Sequence, residues 1–148
     1  MVAVLVAALV LASPYKIQLD HLLAPTVNGH AISGERDAAR LFGPPTSQTT
    51  CTARWPTFAL DTCGIGVELA TPATTWRTAK GLHPGDTGAR AHALYPQGRA
   101  LDFLHKGTLW QLETGGAMCD GGPTLALAAK LAGGRVTALE VVRVPACG

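Results

Sequence analysis

PTLALAAKLAGGRVTALEVVRV, residues 123–144, reads as two strands folded about one tight turn. Leu125, Leu127, Ala129 and Leu131 alternate with polar or small residues, the period-two pattern of a strand with one buried face. Gly133-Gly134 breaks that pattern at the midpoint, and two glycines accept the positive φ angles of a two-residue hairpin turn. The second arm, VTALEVV, is apolar on both faces and belongs in the interior of a sheet.

Working outward, LDFLHKGTLWQLET (101–114) predicts another hairpin about a His105-Lys106-Gly107 bend. Trp110 and Leu112 alternate there with Gln111 and Glu113, and Trp110 is expected in the core. GLHPGDTGARAHALYP (81–96) precedes it as a corner and a two-turn helix. Asp86 is the expected N-cap, Ala89 and Ala93 share a face, and Pro96 forbids continuation. A second helix is expected in SGERDAARLFGPP (33–45), capped by Ser33, with Glu35 and Asp37 in its first turn and Gly43-Pro44-Pro45 as its stop. CTARWPTFALDTCGIGVELA (51–70) follows as two or three short strands. The order is thus helix then strands, twice. It predicts an α+β fold in which two tandem helix-plus-antiparallel-sheet halves, 33–72 and 81–148, share one sheet or core as a single domain. Residues 13–32 form an extended N-terminal arm, and TPATTWRTAKG is a polar linker between the halves.

The opening MVAVLVAALVLA is shorter than the roughly 20 apolar residues a membrane-spanning helix needs, and reads as an export signal at residues 1–12. Val10 and Ala12 supply the small side chains of a cleavage site before Ser13-Pro14, although no Lys or Arg precedes the apolar run. Cysteine usage points the same way. Cys51, Cys63, Cys119 and Cys147 form an even set without a CxxC pair, as structural disulfides of an extracytoplasmic protein do. Of the three pairings, Cys51 with Cys63 and Cys119 with Cys147 are favoured, because each pair brackets a local strand-and-turn segment.

Twelve Lys and Arg against ten Asp and Glu give a net charge of +2, scattered singly, so the footprint of a nucleic-acid binder is missing. No stable membrane span is expected. Ser13, Ser33 and Ser47 are the only serines, and none sits in a G-x-S-x-G turn. His21, His30, His83, His92 and His105 include no i, i+4 pair, so no metal site or cofactor is expected. Asp61, Glu68, Asp102, Glu113 and Asp120 have no spacing that demands a paired-carboxylate site. No catalytic residue is therefore assigned. The corner GLHPGDTG is an architectural start signal, in which Pro84 and Gly85 redirect the backbone and the Asp86 carboxylate satisfies free amide donors; the rival, an anion site at the helix start, is disfavoured because Asp86 would repel an anion. If an aromatic side chain is a contact residue, Trp76 with Arg77 comes first and Trp55 second; the favoured alternative is that Trp76 closes the seam between the halves.

ARLFGPPT followed by TARWP and GIGVELA, echoed by GLHPGDTGARAHALYP, LWQLET and GGRVTALEVV, resembles the helix-plus-sheet repeat of the small outer-membrane assembly lipoproteins and of the β-lactamase inhibitory protein. The GGRVTALEVV ending also resembles exported actinobacterial proteins of this size. The resemblance implies a fold and an exported life. It implies no lipid anchor, because Ser13 stands where a lipoprotein has cysteine, and no functional residue is carried over, because aromatic residues are only 5% of the chain. The expectation is a secreted, non-catalytic binding or envelope-associated module whose partner is a protein or a cell-wall component. Its rival is a small secreted hydrolase whose His and carboxylate site is assembled in three dimensions, around His83 or His92.

Overall fold

The computed structural model describes residues 15–19, 24–64, 66–101, 108–114 and 123–145. The expected leader at 1–12, the bend at 105–107, Cys119 and Cys147 lie outside them. Eleven strands and two short helices are found among the described residues. The balanced α+β tandem is therefore corrected to a mostly β structure of two sheets.

The larger sheet contains β4 (Ser47–Gln48), β5 (Thr52–Arg54), β6 (Ala59–Gly64), β7 (Gly66–Thr71), β9 (Thr108–Thr114), β10 (Pro123–Ala132) and β11 (Arg135–Pro145), in the order β4-β5-β6-β7-β11-β10-β9. The β10–β11 hairpin turns at Gly133 and Gly134, whose φ angles of 59° and 75° are the left-handed values the sequence requires. β11 is interior, between β7 and β10, as its two apolar faces demand. Leu125, Leu127, Ala129, Leu139 and Val141 point to one side of this sheet, and Ala126, Ala128, Val142 and Val144 belong to a separate buried cluster with Leu101 and Leu109.

The smaller sheet explains the correction. It consists of β1 (Tyr15–Leu19), β2 (Pro25–Val27), β3 (His30–Ala31) and β8 (Trp76–Thr78), ordered β3-β2-β1-β8. The expected extended arm is thus three strands, with Asn28-Gly29 as the two-residue turn between β2 and β3, at φ angles of 50° and 81°. The expected polar linker supplies β8, which pairs parallel to β1, Tyr15 opposite Trp76 and Ile17 opposite Thr78. Ile17, Val27 and Trp76 then bury against Leu60, Leu69, Leu127 and Val141 of the larger sheet. Sheet on sheet encloses the main core, where a helix layer was expected.

The helices contribute little of that core. α1 (Glu35–Phe42) buries Ala38, and α2 (Gly88–Leu94) buries Gly88 and Ala91, whereas Ala89 and Ala93 are exposed. Both helix starts depart from expectation. Gly34 occupies the N-cap of α1 without a side-chain bond. Ser33 does not cap; its N–H and hydroxyl donate instead to the Asp37 carboxylate, which this bonding holds below the usual carboxylate range. At α2 the cap is Thr87, whose hydroxyl accepts the Arg90 N–H at 3.1 Å, one residue beyond Asp86. No helix of the described residues is long and apolar enough to cross a membrane.

Candidate functional site

Cys51 and Cys63 are bonded, with 4.9 Å between their Cα atoms, at the open end of the β5–β6 hairpin. The bond ties the hairpin where its ladder ends, and the Thr62 N–H donates to the Cys51 carbonyl beside it at 2.8 Å. This pairing is the expected one. A structural disulfide fits an oxidising compartment.

The aromatic residues singled out for contact are placed differently. Trp76 is 0% exposed; its indole N–H donates to the Thr57 hydroxyl at 3.2 Å and its ring lies 5.0 Å from Phe58 and 5.4 Å from Tyr15. Trp55 is buried too, stacked on Phe58 at 4.7 Å and donating to the Gly43 carbonyl at 2.9 Å. Arg77 is exposed because successive residues of β8 face opposite ways, so Arg77 and Trp76 do not form one surface. The reason is the β1–β8 pairing, which turns the Trp76 side of the linker toward the core. Trp110 is half-buried, 4.3 Å from the His92 ring, and its indole N–H donates to the Tyr95 carbonyl at 3.2 Å.

Of the two histidines considered for a reaction centre, His83 meets a carboxylate and His92 lies against the Trp110 ring. His83 Nε2 lies 3.4 Å from Asp86 Oδ1, but the same carboxylate accepts the His83 backbone N–H at 2.9 Å and faces Arg90 Nε at 3.4 Å. These contacts close the corner before α2. Among the described residues no group of three or more His, Cys, Asp or Glu side chains is placed to hold a metal ion.

A polar seam missed in the sequence runs along the inner face of the larger sheet. Glu113 lies opposite Leu127, and Gln111 lies opposite Ala128, so Leu112 is an extra residue in β9. That bulge turns Glu113 to the Leu127 side, where its carboxylate accepts the Leu19 N–H at 3.4 Å. Burial raises the Glu113 carboxyl above its ordinary range, with the Leu19 bond and Lys80 partly opposing the shift. Nearby, Tyr95 donates its hydroxyl to Thr78 Oγ1 at 2.6 Å, and burial raises the Tyr95 phenol. Lys80 Nζ lies 4.7 Å above the Tyr95 ring and donates to the Leu94 carbonyl at 3.0 Å.

An open concavity large enough for a ligand group lies on the other face of the larger sheet. It holds about 200 Å³ and is lined from β5, β6, β7 and β11 by residues that include Arg54, Ala59, Asp61, Glu68, Ala70 and Glu140. Strand register builds it. Arg54 lies opposite Ala59, Ala59 opposite Ala70, and Ala70 opposite Glu140, so two methyl side chains floor a row with a charge at each end. The next row runs Thr52, Asp61, Glu68. Its two carboxylates are engaged by their own chain: Asp61 accepts the Cys63 N–H at 3.0 Å, and Glu68 accepts the Arg143 N–H at 3.1 Å with Arg143 Nη1 at 3.5 Å. Neither His83 nor His92 lines this groove. No family model, curated protein or solved structure matches the chain.

Proposed function

We propose that this chain is a secreted, non-catalytic binding module that receives its partner in the groove across β5, β6, β7 and β11. The observation that carries the reading is the groove's construction: an apolar floor of Ala59, Ala70 and Val142 on the outer face of the sheet, open to solvent and edged by charged residues. A concave apolar floor with a few polar groups at its rim is the general form of a binding site. Turnover would ask for a nucleophile or base beside a positioned reacting group; the groove lining offers no His, Cys, Ser or Lys, and its facing Asp61 and Glu68 carboxylates are engaged by the Cys63 N–H and by Arg143. The Cys51–Cys63 bond beside the groove supports a life outside the cytoplasm and holds the β5–β6 wall in place.

Capture on the immobilised chain tests this, using proteins of the culture medium in one arm and purified cell-wall material in the other. Ala70→Trp fills the groove from its floor. Retained material should fall by about tenfold or more on the variant, the effect of losing a central contact, while both chains keep the same unfolding midpoint. Equal retention by a folded variant would remove the groove from the reading.

A further inference from the structure

We infer that the groove takes an extended peptide segment bearing opposite charges four residues apart, with a small apolar residue midway. This rests on the binding-module reading above and names the class of its ligand.

The inference begins with which charges are already satisfied. Asp61 and Glu68 are bonded within the chain. The Arg54 guanidinium and the Glu140 carboxylate, in contrast, have no hydrogen bond or ion pair among the described residues, although both line the groove. Lys130 stands on the neighbouring strand beyond the groove lining and forms no ion pair with Glu140. The site is thus a pair of unspent, opposite charges.

Their separation follows from the register. Arg54, Ala59, Ala70 and Glu140 occupy one row over four adjacent strands. Strands lie about 4.8 Å apart, so the ends of the row are about 14 Å apart at their Cα atoms. An extended chain advances about 3.3 Å per residue, and residues i, i+2 and i+4 project to one side. Residues i and i+4 are then about 13 Å apart, which matches the row. A Lys or Arg at one end meets Glu140, an Asp or Glu at the other meets Arg54, and the side chain at i+2 rests on the methyl groups of Ala59 and Ala70. A larger residue in the floor would lift the segment off both charges. Charge pairing at such a partly exposed rim sets spacing and orientation more than raw affinity.

The test uses the full chain and capped nonapeptides of Ser and Thr, each with a central Val and with Lys and Glu two, four or six residues apart. Titration is followed by the amide NMR signals of Ala59 and Ala70. The four-residue spacing should bind at least about fivefold more tightly than the other two, the scale of a pair of exposed ionic contacts. Arg54→Glu, which alters an exposed side chain without partners among the described residues, should shift the preference by a similar factor to a Lys and Lys peptide of the same spacing. Equal affinity at all spacings, or an Arg54→Glu chain that still prefers Lys with Glu, overturns the inference. Soluble cell-wall fragments that move the same signals when no peptide does also overturn it, yet leave the binding module intact. If Ala70→Trp leaves capture unchanged as well, the groove falls with it.

Discussion

The two faces of the seven-stranded sheet are made from the same strands and use opposite means. On the inner face, Leu60, Leu69, Leu127, Leu139 and Val141 meet a second sheet and a cluster of rings from Tyr15, Phe42, Trp55, Phe58 and Trp76. On the outer face above β6, β7 and β11, the strands turn Ala59 and Ala70 outward, with charged residues beside them. One face is filled by large side chains from distant segments. The other keeps a hollow because its side chains stop at Cβ. Size, more than polarity, separates a packed face from a receptive one, since both floors are apolar.

The contrast breaks most severely at Trp76. Trp76→Ala removes a fully buried ring and the indole bond to Thr57, and should cost about 3–5 kcal/mol in urea unfolding. A loss below about 1 kcal/mol, the range of surface changes, would mean the inner face does not depend on this ring. Next comes the bond between Cys51 and Cys63. Replacing both with serine should lower stability by about 3 kcal/mol for a loop of this length, and the loss should disappear when wild type and variant are compared in reductant.

The smallest effect sharpens the comparison through pH. Burial raises the folded Glu113 carboxyl above its unfolded value, so the folded chain holds this proton more tightly. The Glu113 contribution is then greatest in acid and declines as pH rises from the ordinary glutamate range through the raised value. Glu113→Gln should flatten that decline and leave the chain slightly more stable at neutral pH than wild type, as read from unfolding midpoints across the interval. A variant that keeps the wild-type slope would place the charge in solvent instead of under β1.

Local patterns carried part of this structure into view. The alternation about Gly133-Gly134 specified β10 and β11, and bracketing by strand-like sequence identified the partner of Cys51. What stayed hidden depended on pairing between distant segments. YKIQL and WRT are each too short to announce a sheet, and their parallel register becomes visible only when Tyr15 and Trp76 are side by side. The same pairing covers the Trp76 indole, although its neighbours in TPATTWRTAKG are polar. Glu113 follows the polar positions of its strand until the extra residue at Leu112 reverses its side. The groove was equally concealed. Ala59 and Ala70 are ordinary residues in sequence, and Arg54 and Glu140 are aligned only by three successive strand registers.

The β1–β8 ladder also has a kinetic consequence. Tyr15 and Trp76 are joined directly although 61 residues separate them in the chain, and a loop that long must close before the pairing returns any energy. Such high contact order slows folding relative to a hairpin such as β10–β11, whose arms meet across two glycines. The large sheet should acquire its protection against hydrogen exchange first, with the lid of distant strands arriving as the late, rate-setting event.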